Sequence, residues 1–312
     1  MKVRLGYVAL SKAIDITTSS TITYTNYVNK NYTVDKLIDI TKSNLMALEK
    51  IITFNISNNI HFYRLTSKLV PLATHKEINF DYIIPLKELY NKVGNLINDN
   101  DIRVDTHPDQ YAVLNSTNKD IVKNTINILE YHYNILNALN IKNKVIILHV
   151  GSSSGGKKAS LTRFINNFNK LSNHLKRCIA VENDDKVFNI KDVLYLCKKL
   201  DVPMVLDYHH YICNNEDEDL NDYIKDIITT WHDNIPKFHF SSPKSSLKKE
   251  YRSHSDYINI DDFIAFLNIL KMYNIDCDIM LEAKAKDDAI FRLTRQLKYK
   301  GYKFIDETTF II

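Results

Sequence analysis

Histidines and acids close the apolar runs of this 312-residue chain. Val145-Ile146-Ile147-Leu148 ends at His149, and Ile179-Ala180-Val181 ends at Glu182. Met204-Val205-Leu206 ends at Asp207, with His210 shortly after it. Lys237-Phe238 leads to His239, and Ile279-Met280-Leu281 leads to Glu282. His75 and His107 follow two further strand-like stretches, and His254 lies in the loop after His239. Together these are six imidazoles and three carboxylates. Such a mixture suits Mn, Zn, Fe or Co better than Ca or Mg alone. One tetrahedral ion takes about four ligands. The nine candidates therefore imply two or three divalent ions, with Glu182 and Glu282 free to bridge. Sites with several ions suit phosphoryl transfer, because one ion acidifies water while another neutralises charge on the leaving oxygen. The substrate this implies is a phosphate ester.

Taken singly, each residue has a plainer reading. A strand-end His is more often exposed or capping than a ligand, and Asp or Glu there is often turn chemistry. Recurrence on most strands of one chain sets the group apart. His61, His132, His174 and His232 fit no strand ending and read as surface or core residues. His209 reads as facing away from His210, because neighbours on a strand point oppositely.

The elements that must position these groups alternate along the chain. Strands are expected at 3–10, 62–65, 102–105, 145–149, 179–182, 204–207, 237–240 and 279–282, with a long polar loop over 17–33. Helical spacing is clearest in Val122, Ile126, Leu129, Tyr133 and Leu136, and another helix is expected through Leu220, Tyr223, Ile227 and Trp231. The strand-like runs do not alternate with polar residues, as expected for parallel strands buried on both faces. About eight βα units imply an α/β fold, a single (β/α)8 TIM barrel over 1–312. No linker or shift in composition divides the chain. In such barrels the active site lies at the C-terminal ends of the strands, which is where the polar endings fall.

Composition sets the outer bounds. Apolar residues make up 45% of the chain, so a large core is available and wholesale disorder is excluded. Formal charge is +4, which permits a polyanionic partner without demanding one. Cys178, Cys197, Cys213 and Cys277 show no CxxC spacing and read as free thiols in a reducing compartment. No apolar leader and no bilayer-length apolar run are present, so a soluble cytoplasmic protein is expected.

At this point the chain resembles the UV damage endonucleases, relatives of the endonuclease IV type of apurinic-site nuclease. The matching stretches include Arg4-Leu5-Gly6-Tyr7, Lys42-Ser43-Asn44-Leu45 and Phe62-Tyr63-Arg64-Leu65-Thr66-Ser67-Lys68-Leu69-Val70-Pro71-Leu72. Further on are Asp105-Thr106-His107-Pro108-Asp109-Gln110-Tyr111, Val181-Glu182-Asn183-Asp184-Asp185 and Asp207-Tyr208-His209-His210. Then come His239-Phe240-Ser241-Ser242-Pro243-Lys244, His254-Ser255-Asp256-Tyr257 and Leu281-Glu282-Ala283-Lys284. They run in order over nearly the whole chain.

The resemblance implies a TIM barrel with up to three ions, most often manganese, with Zn²⁺, Co²⁺ or Mg²⁺ as alternatives. It implies incision just 5′ to pyrimidine dimers, 6-4 photoproducts and abasic sites, leaving 3′-hydroxyl and 5′-phosphate ends. The family's metal ligands fall on His75, His107, His149, Glu182, Asp207, His210, His239, His254 and Glu282. Its modified strand-seven lysine falls on Lys237, a candidate for carboxylation. Glu182, Glu282, His239 and Lys237 are then the catalytic candidates. Lesion probing falls on Gln110 and Tyr111, with Tyr7 near the lesion, and Ser11 stands where many relatives carry Asn. A lesion flips out at lower cost than a paired base, and a Gln-Tyr wedge can fill the gap.

Lys157, Lys158, Lys244, Lys248, Lys249, Arg252 and Lys284 are the candidate contacts to the DNA backbone, which would make binding salt-dependent. The expected partners are double-stranded damaged DNA and downstream repair enzymes, met at the nucleoid by a monomer. Two rival readings are a metal-dependent barrel enzyme, such as a sugar isomerase or another metal hydrolase, and a non-catalytic lesion-binding module.

Overall fold

Eight of the apolar runs pair side by side and close into a ring in the computed structural model, which describes residues 1–312. The strands are β1 (Lys2–Val8), β2 (Phe62–Leu65), β3 (Arg103–Thr106), β4 (Ile146–His149), β5 (Ile179–Glu182), β6 (Met204–Asp207), β7 (Lys237–Phe240) and β8 (Cys277–Leu281). Each is parallel to the next, and β1 closes on β8 with Val3 opposite Cys277 and Gly6 opposite Met280. A Cβ on Gly6 would lie 2.5 Å from the Phe62 carbonyl oxygen, so only glycine allows β1 and β2 to approach this closely.

Helices surround the ring: α1 (Val34–Ser57), α2 (Lys87–Asp99), α3 (Lys119–Ala138), α4 (Lys157–Phe168), α5 (Ile190–Leu200), α6 (Ile224–Thr229), α7 (Ile260–Lys271) and α8 (Asp287–Tyr299). Helix α5 shows why they form. Asn189 caps it by accepting from the Asp192 N–H, and Ile190, Val193, Leu194, Leu196 and Cys197 are its buried positions. It ends where Asp201 turns left-handed at φ 54°. Burying each Val, Ile or Leu is worth about 1.5–3 kcal/mol, so the apolar stripe decides which way the helix docks.

The pleat sends alternate strand residues to opposite sides of the barrel wall. Outward residues join a core cluster of 67 buried side chains. A second cluster of Ile147, Ala180, Val205 and Trp231 is separate from it. Among the other strand positions, Arg4, Arg64, Arg103, Asp105, Lys237 and Asp278 carry charge.

The elements depart from expectation in four places. Strand β1 stops at Val8, and Leu10–Ser11 pairs with Ile16–Thr17 in a separate ribbon. The loop over 17–33 contains a short helix, Tyr24–Asn29. Helix α6 ends at Thr229, so Trp231 lies beyond it and packs with Ile147, Ala180 and Val205. Lys303–Phe304 and Thr309–Ile311 form an unanticipated hairpin that pairs antiparallel with β1. The four cysteines are free, and no helix is long and apolar enough to cross a membrane.

Candidate metal centre

Glu182 is the hub of the site. It ends β5, is 1% exposed, and belongs to two groups of potential ligands. His107, His149 and Glu182 make one group, and Glu182, Asp207, His239 and Glu282 make the other. Within each, one ligand atom per residue lies within 4.8 Å of the others. Six of the nine expected ligands are thus brought together from β3, β4, β5, β6, β7 and β8 or the residue just after them. His210 and His254 stand at the rim. His210 Nδ1 is 3.7 Å from Glu182 Oε1, and His254 Nδ1 is 3.9 Å from Glu282 Oε2.

His75 does not join either group. It sits in the loop after β2, where its ring stacks on Tyr24 at 4.0 Å and its Nδ1 accepts from the Glu77 N–H. The Asp207-to-His210 spacing also works differently from expectation. Strand β6 ends at Asp207, and Tyr208–Cys213 is a helical turn that Asp207 caps by accepting from the His210 N–H at 2.8 Å. His209 lies on this turn and not on a strand, so strand alternation does not set its direction. It is buried, with Nε2 3.8 Å from Cys213 Sγ.

Three features fit divalent cations. First, the carbonyls of Pro108, Asn183 and Glu282 accept at 2.8–2.9 Å from the Nδ1 atoms of His107, His210 and His254. Each Nδ1 therefore carries a proton, which leaves Nε2 as the nitrogen available to a metal ion, the usual orientation of a metal-binding imidazole. Second, His107 Nε2 faces Glu182 Oε2 at 2.8 Å, so two acceptors meet and require a proton or a metal ion between them. Third, Asp207 Oδ2 and His149 Nδ1 are buried without a hydrogen-bond partner. Buried polar atoms seldom stay unpaired, and an open coordination position explains Asp207 Oδ2; His149 faces Glu182 through its other nitrogen, with Nε2 3.7 Å from Oε2.

The electrostatics agree. Burial works against ionisation of Glu182, but His239, His149 and His107 outweigh it and hold the carboxyl well below its ordinary range. Burial likewise opposes Glu282, and Arg64 and His239 overcome it. At His210 burial disfavours the imidazolium, yet Asp207, Glu182 and Glu282 hold its pKa up at about 9. Such a mouth attracts cations.

Sequence reasoning passed over two residues of this mouth, Arg64 and Asp105. Arg64 Nη1 donates to Glu282 Oε1 at 2.5 Å, Nη2 to His239 Nε2 at 2.5 Å, and Nε to Asp105 Oδ1 at 3.2 Å. Asp105 also pairs with Lys237 Nζ, and both side chains are fully buried. The pair forms a floor beneath the ligands. The signal was there: Asp105 lies two before His107, and Lys237 two before His239, so each shares a face with a ligand on its own strand.

The residues expected to meet DNA divide. Gln110 and Tyr111 are exposed in the loop after β3, Tyr111 by 76%. Tyr7 is not available to a lesion. It points out of the barrel, is fully buried, and donates its hydroxyl to Asn55 Oδ1 on α1 at 2.7 Å. Ser11 is likewise buried, and its hydroxyl is held by Asp287 Oδ2. Lys158, Lys248, Lys249 and Lys284 are exposed. Lys157 pairs with Asp192 and Glu216, Lys244 with Glu250, and Arg252 with Asp185.

Comparison with known proteins agrees with this geometry. The sequence model of the UV-endonuclease UvdE family matches residues 3–309. The UV DNA damage endonuclease of Bacillus cereus (strain 03BB102) is 40% identical over 316 aligned positions, covering 99% of each chain. The crystal structure of SacUVDE superposes with a TM-score of 0.87 at 32% identity, over 96% of this chain and 99% of that one. Endonuclease IV from Thermus thermophilus shares the fold, with a TM-score of 0.60 at 12% identity over 96% of this chain and 100% of its own. A closed parallel barrel, a mouth of clustered acids and imidazoles, and a match along the full length place this chain in the UV-endonuclease UvdE family.

Proposed function

We propose that the chain is a DNA repair endonuclease that cuts the phosphodiester bond immediately 5′ to pyrimidine dimers and 6-4 photoproducts, and at abasic sites. Family membership supports the broad reading, since relatives are named UV DNA damage endonucleases. The observation that carries the chemistry is the pair of ligand groups sharing Glu182. Two or three divalent ions there, manganese before Zn²⁺, Co²⁺ or Mg²⁺, would supply acidified water and neutralise charge on the leaving O3′. Attack of water on phosphorus with loss of O3′ leaves the 3′-hydroxyl and 5′-phosphate ends.

The chain's own part is arrangement. Glu182, Asp207 and Glu282, with His107, His149 and His239, form the ligand set, and His210 and His254 extend it at the rim. Gln110 and Tyr111 fill the space left by an extruded lesion, with Tyr111 stacking on the remaining bases. Lys158, Lys248, Lys249 and Lys284 meet backbone phosphates directly. Lys157, Lys244 and Arg252 must first exchange their acidic partners for DNA. The nicked duplex passes to downstream repair enzymes, and the chain acts as a monomer.

Carboxylation of Lys237 belongs to the same reading. Burial lowers its amine against the pull of Asp105, and Arg64 and Arg103 add to the effect, bringing the pKa to about 7. The neutral amine, the form that takes up CO2, is then populated near neutral pH. Intact mass under gentle conditions should show one added CO2, and an unmodified mass would retire this part of the reading.

The deciding assay is a duplex oligonucleotide carrying one cyclobutane dimer, incubated with Mn²⁺, with the cut ends mapped. One cut 5′ to the dimer and an intact undamaged control are expected. Equal cutting of both duplexes, or of neither, would contradict the proposal.

A further inference from the structure

Lys286 occupies a backbone conformation that a lysine has no local reason to adopt. It lies at φ 57°, ψ −124°, immediately before α8 and four residues after Glu282. The Asp288 N–H donates to the Ala285 carbonyl at 3.1 Å, closing a turn in which Lys286 is the first central residue. That position, with these angles, is the one type II′ turns give to glycine. A side chain there strains the backbone, and such strain persists only where the surroundings impose it.

The surroundings impose it from both sides. On one side the Lys284 and Ala285 N–H groups donate to the Ser255 and Asp256 carbonyls, each at 3.0 Å. On the other, the buried Asp287 carboxylate accepts from Ser11 Oγ at 2.5 Å, Lys12 N at 2.7 Å and Ala13 N at 3.1 Å. Two neighbouring loops thus clamp the turn, and Ser11 serves as part of that clamp. The turn needs only a backbone, so glycine would suffice. The turn itself makes no use of the lysine side chain.

That side chain is partly buried, lies within electrostatic reach of Glu282, Arg64 and Lys12, and forms no ion pair. Glu282 is engaged by Arg64, His239 and His254 instead. Lys286 therefore presents an uncommitted cation at the edge of a mouth read as cutting phosphodiesters. Burial lowers its amine despite Glu282, with Arg64 and Lys12 adding to the effect, as expected of an ammonium lacking an anion of its own.

We propose that Lys286 is a catalytic residue whose ammonium contacts a non-bridging oxygen of the scissile phosphate and stabilises the charge that builds there as the bond to O3′ breaks. This rests on the endonuclease reading of the same site. Fixed cations aimed at developing charge act mainly on the chemical step, not on ground-state affinity.

The test compares full-length wild type, Lys286→Gly, Lys286→Met, Lys286→Arg and Glu182→Gln on the single-dimer duplex with Mn²⁺. Turnover at saturating DNA, DNA affinity and melting temperature are read for each. Lys286→Gly should melt no lower than wild type, because the strain is relieved, while its kcat falls about 100-fold with affinity nearly kept. Lys286→Met should lose kcat similarly, and Lys286→Arg should recover part of it. If Lys286→Gly fails to fold, Lys286→Met decides. Cutting by the Gly and Met variants at the wild-type rate would overturn the assignment, and so would a loss confined to KM. Failure of wild type itself to cut, alongside Glu182→Gln, would instead sink the endonuclease reading.

Discussion

The two ends of the barrel interior both carry buried charge, and they handle it in opposite ways. At the N-terminal end Arg4 reaches Asp278 with Nε at 2.6 Å and Nη2 at 2.8 Å, and Arg103 Nη1 reaches the same carboxylate at 2.8 Å. Arg103 also donates to the Ile235 carbonyl and lies over the Trp231 ring at 5.2 Å. Both Asp278 oxygens are taken up. At the C-terminal end Glu182, Asp207 and Glu282 converge, imidazoles are their main company, and Asp207 Oδ2 has no partner. One end is a closed ion-pair plug, while the other is a set of ligands open to cations. Burial of charge is thus no mark of function by itself. The mark is charge the chain leaves unsatisfied.

The largest effect should come from Glu182→Gln. Removing the hub of both ligand groups should cut single-turnover incision by at least about 1,000-fold, or ~4 kcal/mol of transition-state stabilisation, with the melting temperature nearly unchanged. Asp278→Asn should show the mirror image. Two partly buried guanidinium groups would lose their shared anion, costing about 3 kcal/mol in urea unfolding without changing the metal content of the folded protein. If Asp278→Asn lost metal, or Glu182→Gln lost chiefly stability, the contrast between the ends would fail.

Metal linkage sharpens the same comparison. Free Mn²⁺ at about 100 times its dissociation constant should add ~2.7 kcal/mol to unfolding free energy in wild type and Asp278→Asn, and much less in Glu182→Gln. Equal stabilisation of all three would place the ions elsewhere.

His132 gives the smallest effect and a third kind of burial, a lone neutral imidazole on α3. Burial, with some help from His107, lowers its pKa to about 3. Between that value and the unfolded pKa of about 6.5, only the unfolded chain takes up the proton. The contribution is intact above 6.5 and is lost as pH falls, by at most about 1.4 kcal/mol per pH unit. The difference between wild type and His132→Gln in urea midpoint should therefore shrink as pH falls below 6.5. A difference independent of pH would show that His132 does not titrate this way.

The ligand set was legible because parallel barrel strands are apolar on both faces, so His149, Glu182, Asp207, His239 and Glu282 stand out where they end. Lys237 entered through the family resemblance, and Asp105 could have been found from its place two before His107, but nothing local marks Arg64 as inward until the ring closes. Tyr7 went astray for a simpler reason. Arg4 and Gly6 point inward, so the pleat alone puts Tyr7 outside, against α1. His75 has a strand-end address, yet its loop carries it away to stack on Tyr24. Lys286 left no trace in the sequence, since its strain exists only once the loops at Ser11 and Ser255 hold the turn.

Anomalous diffraction from crystals grown with Mn²⁺ puts the open-end account to its most direct test. Difference peaks should lie between Glu182, Asp207, His239 and Glu282 and between His107, His149 and Glu182, and they should vanish in Glu182→Gln. A mouth without peaks, or peaks that persist in that variant, would contradict it.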